Sequence, residues 1–285
     1  MSCSDAAFAC LGMDHLTATD VSPSQFACWY RRMEWLCPRM QNRSSNGHGR
    51  PRREFGPMIS MESCNETKVR AILDNPGSVE RLTERRARDG DRQVFLLDGR
   101  YIVKRFAYSD SAPPTHRPWR REHDALSHLA EPTLPKSIGY VEDRKNESRV
   151  IRYVRTFVPG EPVSDFDKAS AREAGELLAA LHARGVVTDD AQTQNFMRTA
   201  DGRMFFLDFG KARIFTASDP RFPIWIALDH CRFLRASINW DDALWAAFRC
   251  GYFDATSLGR VQQAVVRAVT FLLLWQRRLR RGVRR

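Results

Sequence analysis

No stretch of about eighteen consecutive apolar residues occurs in the 285-residue chain, which argues against a multi-pass membrane protein built of helices. Zinc-type spacing is missing as well. Seven cysteines stand at 3, 10, 28, 37, 64, 231 and 250, with no C-x-x-C and no clustered Cys/His set. An odd number without such spacing fits free thiols in a reducing compartment. Residues 1–13 lack a basic start followed by an unbroken apolar run, so no secretory leader is expected and the expected location is cytoplasmic. Acid is missing altogether from 255–285, which carries eight arginines.

The positive charge is therefore uneven. The formal net charge is +11, yet residues 1–60 hold seven arginines against five acids, so most of the excess sits in the tail and the body is near neutral. A nucleic-acid binder spreads positive charge over a folded face, and no nucleic-acid partner is expected. With 43% hydrophobic and 28% charged residues, the composition is that of a globular protein, not a fibrous or wholly disordered one.

Residues 1–60 show no sustained period of two or 3.6, and 40–57 is polar, Gly/Pro/Ser-containing and Arg-rich. We expect a largely disordered extension with one short helix near 26–36. Met58 and Met61 stand just before the pattern becomes regular, so a downstream start is an expectation that the intact mass of the native protein tests. From about residue 65 the chain alternates. Residues 93–97 and 101–106 are β-prone runs joined by Asp98-Gly99, a strong hairpin signal. Residues 120–129 place Ala125, Leu126 and Leu129 on one helical face. Strands are expected at 137–141 and 150–158, then a helix at 170–184 closed by Gly185, a buried strand at 204–207, and a helical remainder from about 223. Strands with one helix followed by helices with a small hairpin make an α+β, two-lobed layout, with a β-rich lobe at 65–158 and a helical lobe at 159–285.

Four pieces carry chemistry, and their order matters more than any one of them. Lys104 lies on the apolar strand Tyr101-Ile-Val-Lys104. Glu122 lies on the helix that follows. Gly185-Val-Val-Thr-Asp-Asp190 leads to Asn195, and Phe206-Leu-Asp208-Phe-Gly210 comes next. Singly, each has an ordinary explanation: a strand lysine at a solvated edge, a surface glutamate, an Asp and Asn capping a loop. Together they match what phosphoryl transfer asks of a protein, charge placed around a triphosphate and a residue orienting the nucleophile. Lys104 supplies a point charge for phosphates and Glu122 holds it. Asp208 and Asn195 offer the oxygens that a hard cation prefers, and Asp190 accepts the acceptor hydroxyl's proton.

In these motifs the chain resembles the protein-kinase-like superfamily over roughly 79–250. It looks most like the small bacterial kinases of lipopolysaccharide-core (Kdo and heptose) sugars, on Leu-His-Ala-Arg-Gly-Val-Val ahead of Asp190, the short gap to Leu-Asp-Phe-Gly-Lys-Ala-Arg, and the lack of both an A-P-E motif and a long activation segment. The resemblance implies a bilobal protein-kinase-like fold, ATP and Mg²⁺ as cofactors, Asp190 as the catalytic base with Lys104, cofactor contacts at Lys104, Glu122 and Gly90, and metal contacts at Asn195 and Asp208. It implies ATP and a sugar or glycolipid acceptor as partners. The alternatives are a protein Ser/Thr kinase and a catalytically silent kinase-fold scaffold.

Two departures from the family pattern bear on activity. Thr188-Asp189-Asp190 replaces its His-led triplet, and the spacing of five to Asn195 selects Asp190 over Asp189. Between Val79 and Val94 the only glycine is Gly90, flanked by Asp89 and Asp91, a poor phosphate cradle; weak ATP affinity is expected. In the helical lobe, Arg221, Trp225, Asp229, Arg232, Arg235, Trp240 and Asp241 are acceptor-pocket candidates, with plain core and surface roles as the alternative. The tail, apolar over 261–275 with six arginines in the last ten residues, reads either as a last helix with a solvated end or as an interfacial anchor to an anionic membrane surface.

Overall fold

The computed structural model describes residues 66–87, 90–109, 117–145, 148–163, 165–236 and 242–282. The extension expected over 1–60, with its short helix, lies outside them. The expected α+β layout is present, a β-sheet region followed by a helical part. After α1 (Glu66–Asp74), strands β1 (Val79–Ala87), β2 (Gly90–Leu97), β3 (Tyr101–Ser109), β4 (Ser137–Lys145) and β5 (Ser148–Thr156) form one antiparallel sheet in the order β1-β2-β3-β5-β4. Helix α2 (Pro118–Leu129) enters between β3 and β4 with a proline in its first turn, where a missing N–H costs nothing.

The β2–β3 turn is the one the sequence announces. Asp98 and Gly99 have φ of 53° and 62°, the two positive values that a tight hairpin matched to strand twist requires. Period two then sorts the sheet's faces. Val103 and Val154 meet Leu97, Val141 and Val69 of α1. Phe106, Ile151 and Tyr153 pack with Trp119 of α2 on the other face. Lys104 and Arg155 share the parity of Phe106 and Tyr153, which sends both toward α2.

The helical part holds β6 (Glu161–Pro162), α3 (Lys168–Ala183), β7 (Val186–Val187), β8 (Phe196–Arg198), β9 (Met204–Phe206), β10 (Arg213–Ile214), α4 (Phe222–Ala236), α5 (Asp242–Ala255) and α6 (Arg260–Gly282). Its core gathers Leu178, Phe196, Phe206, Phe209, Ile226, Phe248 and Tyr252, all fully buried. Asp167 caps α3 by accepting from the Ser170 N–H at 2.7 Å. Helices α3 and α5 touch backbone to backbone. A Cβ on Gly175 would stand 2.2 Å from the Phe248 carbonyl oxygen, and one on Gly251 2.1 Å from that of Arg172. No helix of the described residues is long and apolar enough to cross a membrane.

Helix α1 and the strands β1, β6, β7, β8 and β10 do not stand out in the sequence, and the expected helical remainder divides into α4, α5 and α6. Strand β1 reads as polar because Val79 to Glu84 are all exposed, so no alternation marks it.

Candidate active site

Lys104 Nζ donates to Glu122 Oε2 at 2.5 Å and to Asp208 Oδ1 at 3.3 Å. One strand, one helix and the loop after β9 thus converge on a single ammonium. Glu122 is 1% exposed and takes a second cation on its other oxygen, Arg155 Nε at 3.1 Å. A carboxylate so buried is costly unless paired, and two cations compensate it. The side chain of Asp208 stays 26% exposed, with Arg92 3.5 Å from Oδ2 and the Gly210 N–H donating to Oδ1 at 3.1 Å. Burial alone would raise its pKa. The Lys104 and Arg92 charges and the Gly210 N–H overcome that and hold it well below the usual carboxylate range.

The loop that follows β7 carries the other pair. Asp190 keeps 13% of its side chain exposed, whereas Asp189 has none. Asp189, at φ 54°, is turned inward between Arg232 and Arg213, the latter 3.6 Å away. The geometry therefore separates the two adjacent acids, Asp189 being wholly buried and Asp190 partly exposed. Both Asp190 oxygens accept bonds, Oδ1 from Gln192 Nε2 at 2.6 Å and Oδ2 from Lys211 Nζ at 2.9 Å. Asn195 Nδ2 donates to the Asp190 carbonyl at 2.8 Å, tying the far end of the loop to its start.

Thr188 takes the position where the resembled family has histidine, and a carboxylate beneath it does the buttressing. Asp229 of α4, fully buried, accepts at Oδ2 from the Thr188 N–H at 2.8 Å and its Oγ1 at 3.0 Å. His182 Nε2 lies 3.3 Å from the same oxygen, and its Nδ1 2.9 Å from the Tyr252 hydroxyl. The segment after Asp208 closes the frame through β10, which pairs Arg213 with Val187.

This gives Asp229 and Arg232 a part in holding the loop, the plain structural role that stood beside the acceptor-pocket reading. Trp225 is likewise occupied, its ring 4.0 Å from the Arg213 guanidinium, and Arg221 pairs with Asp219 at 2.7 Å. Trp240, Asp241 and the Arg235 side chain lie outside the described residues. Gly90 pairs with Ala87 at the end of the β1–β2 ladder.

Four partners were not legible as site residues: Arg155, Arg92, Lys211 and Gln192. Arg155 carried a signal, a charged residue on the apolar parity of a strand. Lys211 and Gln192 carried none beyond nearness to Asp208 and Asp190.

The donor set fits a nucleotide and Mg²⁺. Among the described residues no three His, Cys, Asp or Glu side chains cluster for a metal. Mg²⁺ at a phosphate asks for less, one or two protein oxygens beside the phosphate oxygens. Asp208 supplies an ionised carboxylate, and Asn195, whose nitrogen is used on the loop, supplies an amide oxygen. Lys104, fixed from two sides, would meet a phosphate as a preset charge.

Residues 83–186 match the model of the phosphotransferase enzyme family (APH). The match takes in Lys104 and Glu122 and ends ahead of Asp190, and it supports an enzyme of phosphoryl transfer. No curated protein matches the chain. Among solved structures, the crystal structure of WbdD is similar at 17% identity, with a TM-score of 0.36 over 67% of this chain. The chain spans about half of that protein, 50% of its length being covered.

Proposed function

We propose that the protein is a Mg²⁺- and ATP-dependent kinase that transfers the γ-phosphate to a hydroxyl group. The observation that carries this reading is the Lys104–Glu122–Asp208 junction, together with a loop that leaves Asp190 partly exposed and buries Asp189. Lys104 would bind the α- and β-phosphates, with its position fixed by Glu122. Asp208 and Asn195 would hold Mg²⁺, which when bound neutralises charge on the phosphates. Asp190 would orient the acceptor hydroxyl and take its proton. Each Asp190 carboxylate oxygen carries one hydrogen bond, from Gln192 and Lys211, and keeps a second lone pair for the hydroxyl; Lys211, 53% exposed, is the freer of the two partners to move aside. The N-lobe at 65–158 and C-lobe at 159–285 would close on the nucleotide.

For the acceptor we propose a sugar of a lipopolysaccharide core or a related membrane glycolipid. The short segment between Gly210 and α4 supports a small acceptor rather than a peptide, since β10 pairs directly with β7 and leaves no long platform. A peripheral location on the inner membrane face fits the same acceptor. Helix α6 buries Val266, Val269 and Thr270 but exposes Phe271 and Trp275, at 50% and 38%, next to the arginine-rich end. Aromatics beside arginines suit an anionic lipid surface. Transfer from γ-labelled ATP to extracted glycolipid, measured against a protein mixture, tests the acceptor. Label in glycolipid that disappears in Asp190→Ala supports it, and label in protein alone overturns it.

A catalytically silent scaffold is the second reading, favoured by the glycine-poor hairpin and by cations already on Asp190 and Asp208. Absence of turnover in a folded protein would select it.

A further inference from the structure

The β1–β2 hairpin offers phosphate almost none of the side-chain-free backbone that usually approaches it. Gly90 is its only glycine, and acids flank that glycine on both sides. What the hairpin does place there is a guanidinium. Arg92 is opposite Phe106 in the β2–β3 register, and Val94 is opposite Lys104. Opposed residues share a face, and so do residues two apart along a strand, so Arg92 and Lys104 point to the same side of the sheet. Both reach Asp208, Arg92 at Oδ2 and Lys104 at Oδ1. The Arg92 guanidinium also stands 5.6 Å from the Phe106 ring centroid.

The two cations differ in how firmly they are held. Lys104 is buried and bound to Glu122 at 2.5 Å, whereas Arg92 is 37% exposed and its ion pair with Asp208 is 3.5 Å long. A half-exposed pair of that length is looser than the buried Lys104–Glu122 pair and yields to a better anion. Phosphate is one, because the planar fork of arginine donates two parallel bonds to it.

We propose that Arg92 is the phosphate-binding group of the hairpin, taking over from a glycine-rich loop. With Mg²⁺ held by Asp208, the Arg92 guanidinium would turn from that carboxylate to the nucleotide's phosphates. This inference rests on the nucleotide site proposed above and assigns it one further binding residue. It also revises the weak ATP affinity expected from the glycine count, since a charged donor compensates for the missing backbone.

The test is calorimetric titration of the full chain with ADP in the presence of Mg²⁺, and separately with adenosine, for wild type, Arg92→Ala and Arg92→Lys. Removing a charged hydrogen-bond donor should weaken ADP binding about tenfold or more. Lysine should recover part of that loss, and adenosine binding should be equal in all three proteins. ADP binding by Arg92→Ala equal to wild type overturns the proposal, as does an equal loss for adenosine, which would mark a structural effect. A wild-type protein that binds no ADP brings down the nucleotide site itself, a separate outcome from an unchanged Arg92→Ala.

Discussion

Glu122 lies between Lys104 and Arg155, one carboxylate oxygen facing each, at 2.5 Å and 3.1 Å. The three side chains are nearly or wholly inaccessible, so the pair of cations and the single anion stand or fall together. Strand parity delivers both cations to one face, and the first two turns of α2 deliver the anion.

Glu122→Gln should therefore act on two readouts. It leaves Lys104 and Arg155 buried against a neutral amide, a change worth about 3–5 kcal/mol when a buried pair is broken. Denaturant unfolding should show a loss in that range, and nucleotide binding should weaken because Lys104 is no longer fixed. A stability within about 0.5 kcal/mol of wild type would contradict the burial described here.

Asp229→Ala removes the acceptor for Thr188 and a partner of Arg232 and His182. Leaving several buried groups unpaired at 1–3 kcal/mol each predicts a loss of about 3 kcal/mol or more, by chemical denaturation. Trapped at low temperature in its folded state, the variant should also turn over more slowly, because Thr188 fixes the start of the Asp190 loop. Full activity would show that the loop holds itself.

The α3–α5 contact predicts a steric effect with no chemistry in it. Gly175→Ala places a methyl 2.2 Å from the Phe248 carbonyl oxygen, and the helices must separate. Overpacking of this kind costs about 1–3 kcal/mol or more, measurable as a lower denaturant midpoint. Gly99→Ala, with open space around the new methyl, should cost less and only through its positive φ.

His230 gives the protein a pH dependence. Burial is the main cause of its lowered pKa, with His182 and Arg249 adding to it, and the ring sits among Trp245, Phe248, Tyr252 and Phe253. The folded state keeps it neutral below its ordinary value of 6.5, where the unfolded chain takes up a proton. Stability is therefore complete above that value and falls as pH drops below it, by up to about 1.4 kcal/mol per pH unit. His123, also lowered by burial, acts in the same direction. Thermal unfolding between about pH 7.5 and 5.5 should show the fall, and a smaller one in His230→Phe. A flat profile would contradict a neutral buried ring.

Legibility in the sequence followed a physical rule. Features that need one residue type at one place could be read: Asp98-Gly99 at a turn of two positive φ values, Gly185 closing α3, Asp208-Phe-Gly210 after a buried strand. The α2 face of Ala125, Leu126 and Leu129 is buried as its period indicates. Features set by tertiary contact could not be read. Strand β1 is polar because both its faces see solvent over Val79 to Glu84, and α1 buries only Val69 along nine residues, too little for a period. Asp229 did stand out as an acid among apolar neighbours in α4, but the sequence could not say that it faces Thr188 rather than an acceptor.

The most direct test is Mg²⁺-dependent ATP turnover by the purified full chain, wild type beside Asp190→Ala, Asp208→Ala and Asp189→Asn. The account predicts loss of roughly 100-fold or more for the first two, in line with the removal of a general base or a metal ligand. Asp189→Asn should retain substantial turnover at low temperature, because that residue holds the loop and does not face the reaction. Turnover that survives Asp190→Ala but vanishes in Asp189→Asn, or that ignores Asp208→Ala, would contradict the assignment of the site.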